Sequence, residues 1–320
     1  EVRPTSLRRC NVGKYIVRRL LQMIPVIIFS TFLIYAMVFA MPGDPTAGKC
    51  GERPCPAAYV EKFNEKYHLN DPLIVQYGYY AKNVVQGDLG ENQYGIPVAK
   101  ELGERFQVTA KLAVMALVFE GVIGIIAGVL AGLRKGGFID NLVLVSTLFV
   151  ISVPIFVIGF AARYFLGLKW EIFPALASGK DPDFVALIMP AMVLGSTSLA
   201  YIARLMRTNI SENIRSDYVR TAKAKGLSRG RIVGVHTLRN SMIPVVTFMG
   251  YDFGALLGGA IVTEGIFNVQ GVGGYIFTGI RNRDGIAVVG AVTALVIVYL
   301  LMNLLVDLLY GALDPRISND

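Results

Sequence analysis

Histidine and tryptophan are nearly missing: the 320 residues hold two His and one Trp, with only three Cys. Two imidazoles are too few for a zinc site of the usual kind, and they leave little scope for catalysis by histidine. Three thiols exclude a disulfide scaffold. Charge is thin as well, at 17% of residues, whereas 54% are hydrophobic and the mean hydropathy is +0.53. That balance lies well outside an ordinary soluble domain and predicts an integral membrane protein. The net charge of +8, from 31 Lys+Arg and 23 Asp+Glu, would suit a polyanion binder if the basic residues were not already sorted by topology.

Six stretches reach the roughly 20 apolar residues that a bilayer core requires. Leu20 to Met41, Leu142 to Ala162, Phe184 to Ala203 and Ile286 to Val306 carry no charge, while Leu112 to Leu133 and Met242 to Val262 carry one acid each, Glu120 and Asp252. Six crossings put both termini on one side. The segments on that side (1–19, 134–140, 204–241, 307–320) hold 18 Lys+Arg, and those on the other (42–111, 163–183, 263–285) hold 13 in a longer stretch of chain. The density differs roughly twofold, which predicts cytoplasmic termini. Topology thus accounts for the positive charge, and a nucleic-acid partner loses its support; the basic loop can still touch anionic lipid.

The chain divides into an N-terminal segment 1–19, a first span 20–41, a loop region 42–111, a five-helix core 112–306 that includes the loop 204–241, and a C-terminal segment 307–320. The basic start leading into a long apolar run reads as a signal-anchor. Neither an internal repeat nor a low-complexity segment is visible, and no soluble catalytic domain of ordinary size fits. Gly43 to Cys50 matches G-x-x-x-x-G-K but lacks the following Ser/Thr, and it follows a span instead of a strand, so ATP hydrolysis by this chain is not expected.

The loop 204–241 is the most informative segment. Arg204 to Lys225 contains good helix formers without Pro or Gly, Gly226 can supply a left-handed cap, and Ser228 can start a second helix to about Asn240. The expectation is helix, tight turn, helix, with small side chains at Ala222, Ala224 and Gly226 that admit a partner's backbone. The plainer reading is a solvated basic loop. Glycine rows at helical spacing, Gly124, Gly128 and Gly132 in the second span and Gly250, Gly254 and Gly258 in the fifth, suit close helix packing in lipid. Glu120 lies on the first row's face and is expected to hydrogen-bond within a helix contact. Asp252 points away from the second row, which leaves two readings: a residue of a water-filled path that attracts cationic groups, or a buried acid held by a neighbouring helix. Pro154 and Pro190 are expected to kink the third and fourth spans, and Trp170 suits an interfacial anchor.

The run Asp217-Tyr218-Val219-Arg220-Thr221-Ala222-Lys223-Ala224-Lys225-Gly226-Leu227, followed by Leu238-Arg239-Asn240-Ser241-Met242-Ile243-Pro244-Val245, resembles the EAA loop of binding-protein-dependent ABC importer permeases in its dipeptide and oligopeptide form. Met41-Pro42-Gly43-Asp44-Pro45, His68-Leu69-Asn70-Asp71-Pro72 with Gln76-Tyr77, and Gly87-Asp88-Leu89-Gly90 are similar too. So are Thr263-Glu264-Gly265-Ile266-Phe267 with Gly271-Val272-Gly273, and the ending Asn303 to Tyr310 with Leu313-Asp314-Pro315-Arg316. The long first loop resembles the B-type subunit of the pair. Arg220 and Arg239 stand where the general pattern has Glu and Pro, a departure that the peptide group tolerates.

The resemblance implies a type I ABC importer permease fold and a role without catalytic residues, metal or cofactor. Its coupling loop would comprise Arg220, Thr221, Ala222, Lys223, Ala224, Lys225, Gly226 and Leu227. Its partners would be a second permease subunit, two ATP-binding subunits or one fused ATPase, and an external substrate-binding protein, all at a bacterial inner membrane. A secondary transporter or channel is the rival reading, and an intramembrane protease a weaker one, since neither His68 nor His236 lies in a span. Cys50 and Cys55 fall on the oxidising side, where a disulfide is expected in preference to two free thiols; Cys10, on the other side, is expected to stay reduced.

Overall fold

The computed structural model describes residues 12–40, 46, 49–50 and 55–313; Cys10 and most of Gly43 to Cys50 lie outside them. The described residues are helical, with no strand beyond an isolated bridge between Glu91 and Pro97. In chain order the helices are α1 (Val12–Phe39), α2 (Ala57–Lys66), α3 (Leu73–Val85), α4 (Val98–Leu133), α5 (Phe138–Ser152), α6 (Ile155–Ala162) and α7 (Phe184–Leu194). They continue with α8 (Ser196–Asn213), α9 (Asp217–Ala224), α10 (Arg229–Arg231), α11 (Leu238–Phe267), α12 (Val272–Arg281) and α13 (Gly285–Leu313). Wider, π-helical turns extend α6 over Arg163–Lys169 and join α10 to α11 over Ile232–Thr237.

Four helices contain a stretch long and apolar enough to cross a membrane: Val17–Phe39, Val98–Leu133, Arg229–Gly258 and Gly285–Leu308. The third and fourth crossings differ from the expected straight or gently kinked helices. α5 and α6 diverge by 101°, and α7 and α8 by 58°. Proline explains the first break. α2, α3, α4 and α6 each begin directly after one, at Pro56, Pro72, Pro97 and Pro154, with ψ between 127° and 143°. The ring presets φ, and the missing N–H is not needed at a helix start; Pro154 places this device inside an apolar run. Asp140 at the start of α5 pairs with Arg207, and beyond α6 the Arg163 Nη1 donates to the Ile266 carbonyl at 2.9 Å. The broken segment therefore still reaches from one face to the other.

The bend in the fourth crossing falls at Gly195 and not at Pro190, which is accommodated within α7. A Cβ at Gly195 would lie 2.9 Å from the Ala116 carbonyl oxygen and 3.2 Å from Glu120 Oε2, so glycine lets the bend touch α4. With each bent pair as one crossing, the chain crosses six times. The face that carries residues 214–228 is called here the loop face, and the face that carries α2, α3 and α12 the cap face.

The glycine row of α4 is the contact surface for α8, which runs parallel to it. Added Cβ atoms at Gly124, Gly128 and Gly132 would meet Ile202 Cγ2 at 2.8 Å, the Ala203 carbonyl at 2.5 Å and the Arg207 carbonyl at 2.8 Å. Lipid is as apolar as the helix surface, so closeness of this kind, through van der Waals contact, is what holds the pair. The second row is only partly used. Gly250 and Gly254 approach Val306 and Tyr299 of α13, but Gly258 faces open space. At the loop face Tyr251 donates to Asp307 Oδ1 at 2.6 Å and Arg19 lies 3.3 Å from Asp307, which fastens α1, α11 and α13 together.

Candidate functional site

The coupling-loop candidate is a short helical unit and not one continuous helix. α8 stops at Asn213, and residues 214–216 turn the chain before Ser216, with ψ 158°, starts α9. The break is stitched by side chains: Tyr218 donates to Asn213 Oδ1 at 2.9 Å, and Asn213 Nδ2 to Ser241 Oγ at 3.0 Å. No Pro or Gly marks this break, which is why Arg204 to Lys225 reads as unbroken. Gly226 then takes the left-handed conformation with φ 76°, as expected of the cap. The second helix does not end near Asn240; α10 passes through Ile232–Thr237 directly into α11. The loop is thus continuous in backbone with the fifth crossing.

Within the unit, Val219 and Ala222 of α9 pack on Ile232 and Leu227 to form a small core. Ala222 is 5% exposed and faces this core, whereas Arg220, Thr221, Lys223, Ala224, Lys225 and Gly226 are exposed. The small residue at 222 serves close packing inside the loop; those at 224 and 226 remain on the outside. A Cβ at Gly226 would meet nothing within 4 Å, so glycine there answers to backbone conformation alone.

At mid-depth, Asp252 on α11 points away from α13 and meets α8, where Ser198 Oγ donates to Asp252 Oδ1 at 2.9 Å. Glu120 of α4 is the neighbouring carboxyl and is 0% exposed. It lies in the helix contact as expected, yet neither of its oxygens has a donor at hydrogen-bonding geometry among the described residues. The polar group beside it is the Asp252 carboxyl, an acceptor like itself unless one of the two carries a proton.

The cap face brings the candidate pair Cys50 and Cys55 together and adds contacts that the motifs alone did not supply. Cys50 and Cys55 are joined as a disulfide, with Cα atoms 5.3 Å apart. Beside it, buried Lys49 lies 3.7 Å from buried Asp284, which also accepts from Gln93 N at 2.5 Å. Burial pushes the Lys49 ammonium below the ordinary lysine range, and Asp284 opposes that shift. Gln76 explains the spacing to the turn before it: its Nε2 donates to the Leu69 and Asp71 carbonyls at 3.1 and 2.7 Å while Tyr35 of α1 donates to its Oε1. Glu264, Thr109 and the glycines at the start of α12 form a further buried cluster. Among the described residues, no group of three His, Cys, Asp or Glu side chains could hold a metal ion.

Two family descriptions match the chain: "Binding-protein-dependent transport system inner membrane component" over residues 124–319 and "Binding-prot-dependent transport system membrane comp, N-term" over residues 12–120. The dipeptide transport system permease protein DppB of Escherichia coli K12 is 37% identical over 335 aligned positions, covering 96% of this chain and 99% of the relative. A probable peptide ABC transporter permease, y4tP of Sinorhizobium fredii, is 35% identical with the same coverage. The glutathione transport system permease GsiC of Escherichia coli O6:H1 is 34% identical over 95% of this chain and 98% of the relative. Six apolar crossings, a helical loop in one piece with the fifth of them, and end-to-end similarity to permeases converge on one identity: the chain belongs to the binding-protein-dependent transport system inner membrane component family, as a multi-pass permease of the inner membrane.

Proposed function

We propose that this permease forms half of the translocation path of an ATP-driven importer of peptides or peptide-like solutes, with the loop face cytoplasmic. A second permease subunit would complete the path, two ATPase subunits or one fused ATPase would dock on the loops, and an external binding protein would deliver the solute. The peptide assignment rests on relatives whose names specify dipeptide, peptide and glutathione transport. The observation that carries the coupling role is the build of α9 and its turn. A small self-packed unit presents Ala224 and Gly226 outward, ringed by Arg220, Lys223 and Lys225, and its backbone runs without interruption into α11. A push at the turn is therefore a push on the fifth crossing. The basic ring would set orientation and on-rate more than affinity.

The test is Ala224→Trp in the complete complex. This position is helical and exposed, so the bulk falls on the docked partner and not on the loop. Gly226 serves less well, because any L side chain at φ 76° strains the turn whatever binds. Overpacking a closed contact costs about 1 to 3 kcal/mol, so reduced ATPase recruitment, or retained recruitment with lost substrate stimulation, is expected. Normal values of both would remove the assignment. For Asp252 we favour the helix-contact role over the path role, because Ser198 already holds one oxygen. Asp252→Asn should then reduce transport of cationic and neutral substrates equally; a selective loss for cationic ones would restore the path reading.

A further inference from the structure

The chain leaves α11 through Asn268, whose φ of 54° ends the helix, and turns back at once into α12. Glu264, one turn before that end, is 0% exposed and is bonded on both oxygens. Its Oε1 accepts from Thr109 Oγ1 of α4 at 2.8 Å, and its Oε2 accepts from the Gly274 N–H in the first turn of α12 at 2.7 Å. Thr109 is equally buried and serves twice, since its hydroxyl also accepts from Val272 N at 2.8 Å. Two of the N–H groups that a helix start leaves without partners thus end on side chains of two different crossings. A carboxylate at this place is also favoured by the α12 dipole.

The glycines around it are required by closeness. A Cβ at Gly271 would lie 2.4 Å from Thr109 Oγ1 and 2.5 and 2.6 Å from the Glu264 oxygens. At Gly273 it would lie 2.7 Å from the Ile261 backbone, and at Gly274 2.2 Å from the Val269 carbonyl oxygen. The body of α12 is seated as well, with Val272, Tyr275 and Ile276 packed among Val98 and Leu102 of α4 and Ala287, Ala291 and Leu295 of α13. Arg105 of α4 lies alongside, over the Tyr275 ring at 5.1 Å and donating to Gln270 Oε1 at 3.2 Å. α12 cannot move against α4 or α11 without opening the carboxylate network.

We infer that Glu264 is a positioning residue that, through Thr109 and the first turn of α12, locks α4, α11 and α12 into one rigid body on the cap face. The inference rests on the importer reading above: a push delivered to α11 at the loop face then reaches the cap face as movement of the whole body, and α12 opens or seals the path with it. A loose lock lets α11 move while α12 stays, so hydrolysis continues without matching transport.

The experiment uses the complete complex in lipid with its binding protein and a dipeptide, and reads molecules transported per ATP hydrolysed. Thr109→Val removes the bridging hydroxyl with little change in volume, and Thr109→Ser keeps it; Glu264→Gln alters the acceptor directly. The expected result is a several-fold drop in transport per ATP for Thr109→Val and Glu264→Gln, with ATPase rate retained and with the ratio restored in Thr109→Ser. Amide exchange at Val272 and Gly274 should rise in the same two variants. A transport ratio unchanged in Thr109→Val, or lost equally in Thr109→Ser, overturns the inference, and the threonine pair decides the matter even where Glu264→Gln does not assemble. Failure of the importer reading looks different, since the parent complex would show no transport linked to ATP.

Discussion

The two faces of this permease are built on opposite terms. On the cap face, α12 is held by a buried carboxylate, a doubly used hydroxyl and three glycines that admit no side chain, so its partners are all within the chain. On the loop face, α9 rests on a core of Val219, Ala222, Ile232 and Leu227, and it turns its remaining surface outward. The first turn of α12 is bonded within the chain, whereas the outward surface of α9 is where we propose that a partner docks. A small core also places α9 at the low end of local stability, which suits the docking role proposed for it.

The largest effect that would sharpen this contrast is expected at the cap face. Gly271→Ala drives a methyl group into Thr109 and both Glu264 oxygens, and overpacking together with a buried acceptor left unmet should cost about 3 kcal/mol or more. A lowered thermal midpoint of the purified protein would show it. A comparable effect is expected for Asp284→Asn, which leaves the Lys49 ammonium buried without its acid, a loss of about 3 kcal/mol. The pH dependence has a definite sign. Burial lowers the Lys49 pKa in the folded state, so the unfolded chain binds more protons in the window between the folded value and the ordinary lysine value. The penalty is then fully present below the folded value and fades as pH rises through that window. Asp284→Asn destabilisation that grows with rising alkalinity would contradict this.

The two glycine rows provide the next comparison. Gly128→Ala places a Cβ 2.5 Å from the Ala203 carbonyl and should destabilise by about 1 to 3 kcal/mol, whereas Gly258→Ala meets open space and should be neutral within about 0.5 kcal/mol. Equal effects at the two positions, measured by thermal unfolding in detergent, would show that the rows do not differ as described. The smallest effect belongs to Cys50 and Cys55. A loop so short gains little chain entropy from closure, so Cys50→Ser with Cys55→Ser should barely change the unfolding temperature, and non-reducing mass mapping of the parent should find the two joined.

Much of this architecture is legible in the residues, and the failures have physical causes. Crossings are readable because apolar length is a direct requirement of the bilayer. Their breaks are not, because Leu142 to Ala162 carries no charge to mark one and Pro154 acts as a helix start within it. The turn at Gly226 is readable from its glycine, but the end of α8 at Asn213 depends on Tyr218 and Ser241 supplying bonds that no local pattern announces. The inward face of Ala222 could have been found from its spacing to Val219, three residues earlier on one helical face. Glu264 stood in a recognisable run, yet its role needs Thr109, far away in sequence, and the conformation of Gly271 to Gly274. Pairings of that kind emerge only when the helices are placed together.

We propose that an ATPase covers the loop face, while the first turn of α12 is already bonded within the chain. Backbone amide exchange reads both at once, in the permease pair alone and in the pair with its ATPase bound. Amides of residues 217–227 are expected to exchange readily in the absence of the ATPase and to become protected on binding, while those of Val272 to Gly274 stay protected in both conditions. Exchange over residues 217–227 that is unchanged by the ATPase would contradict it.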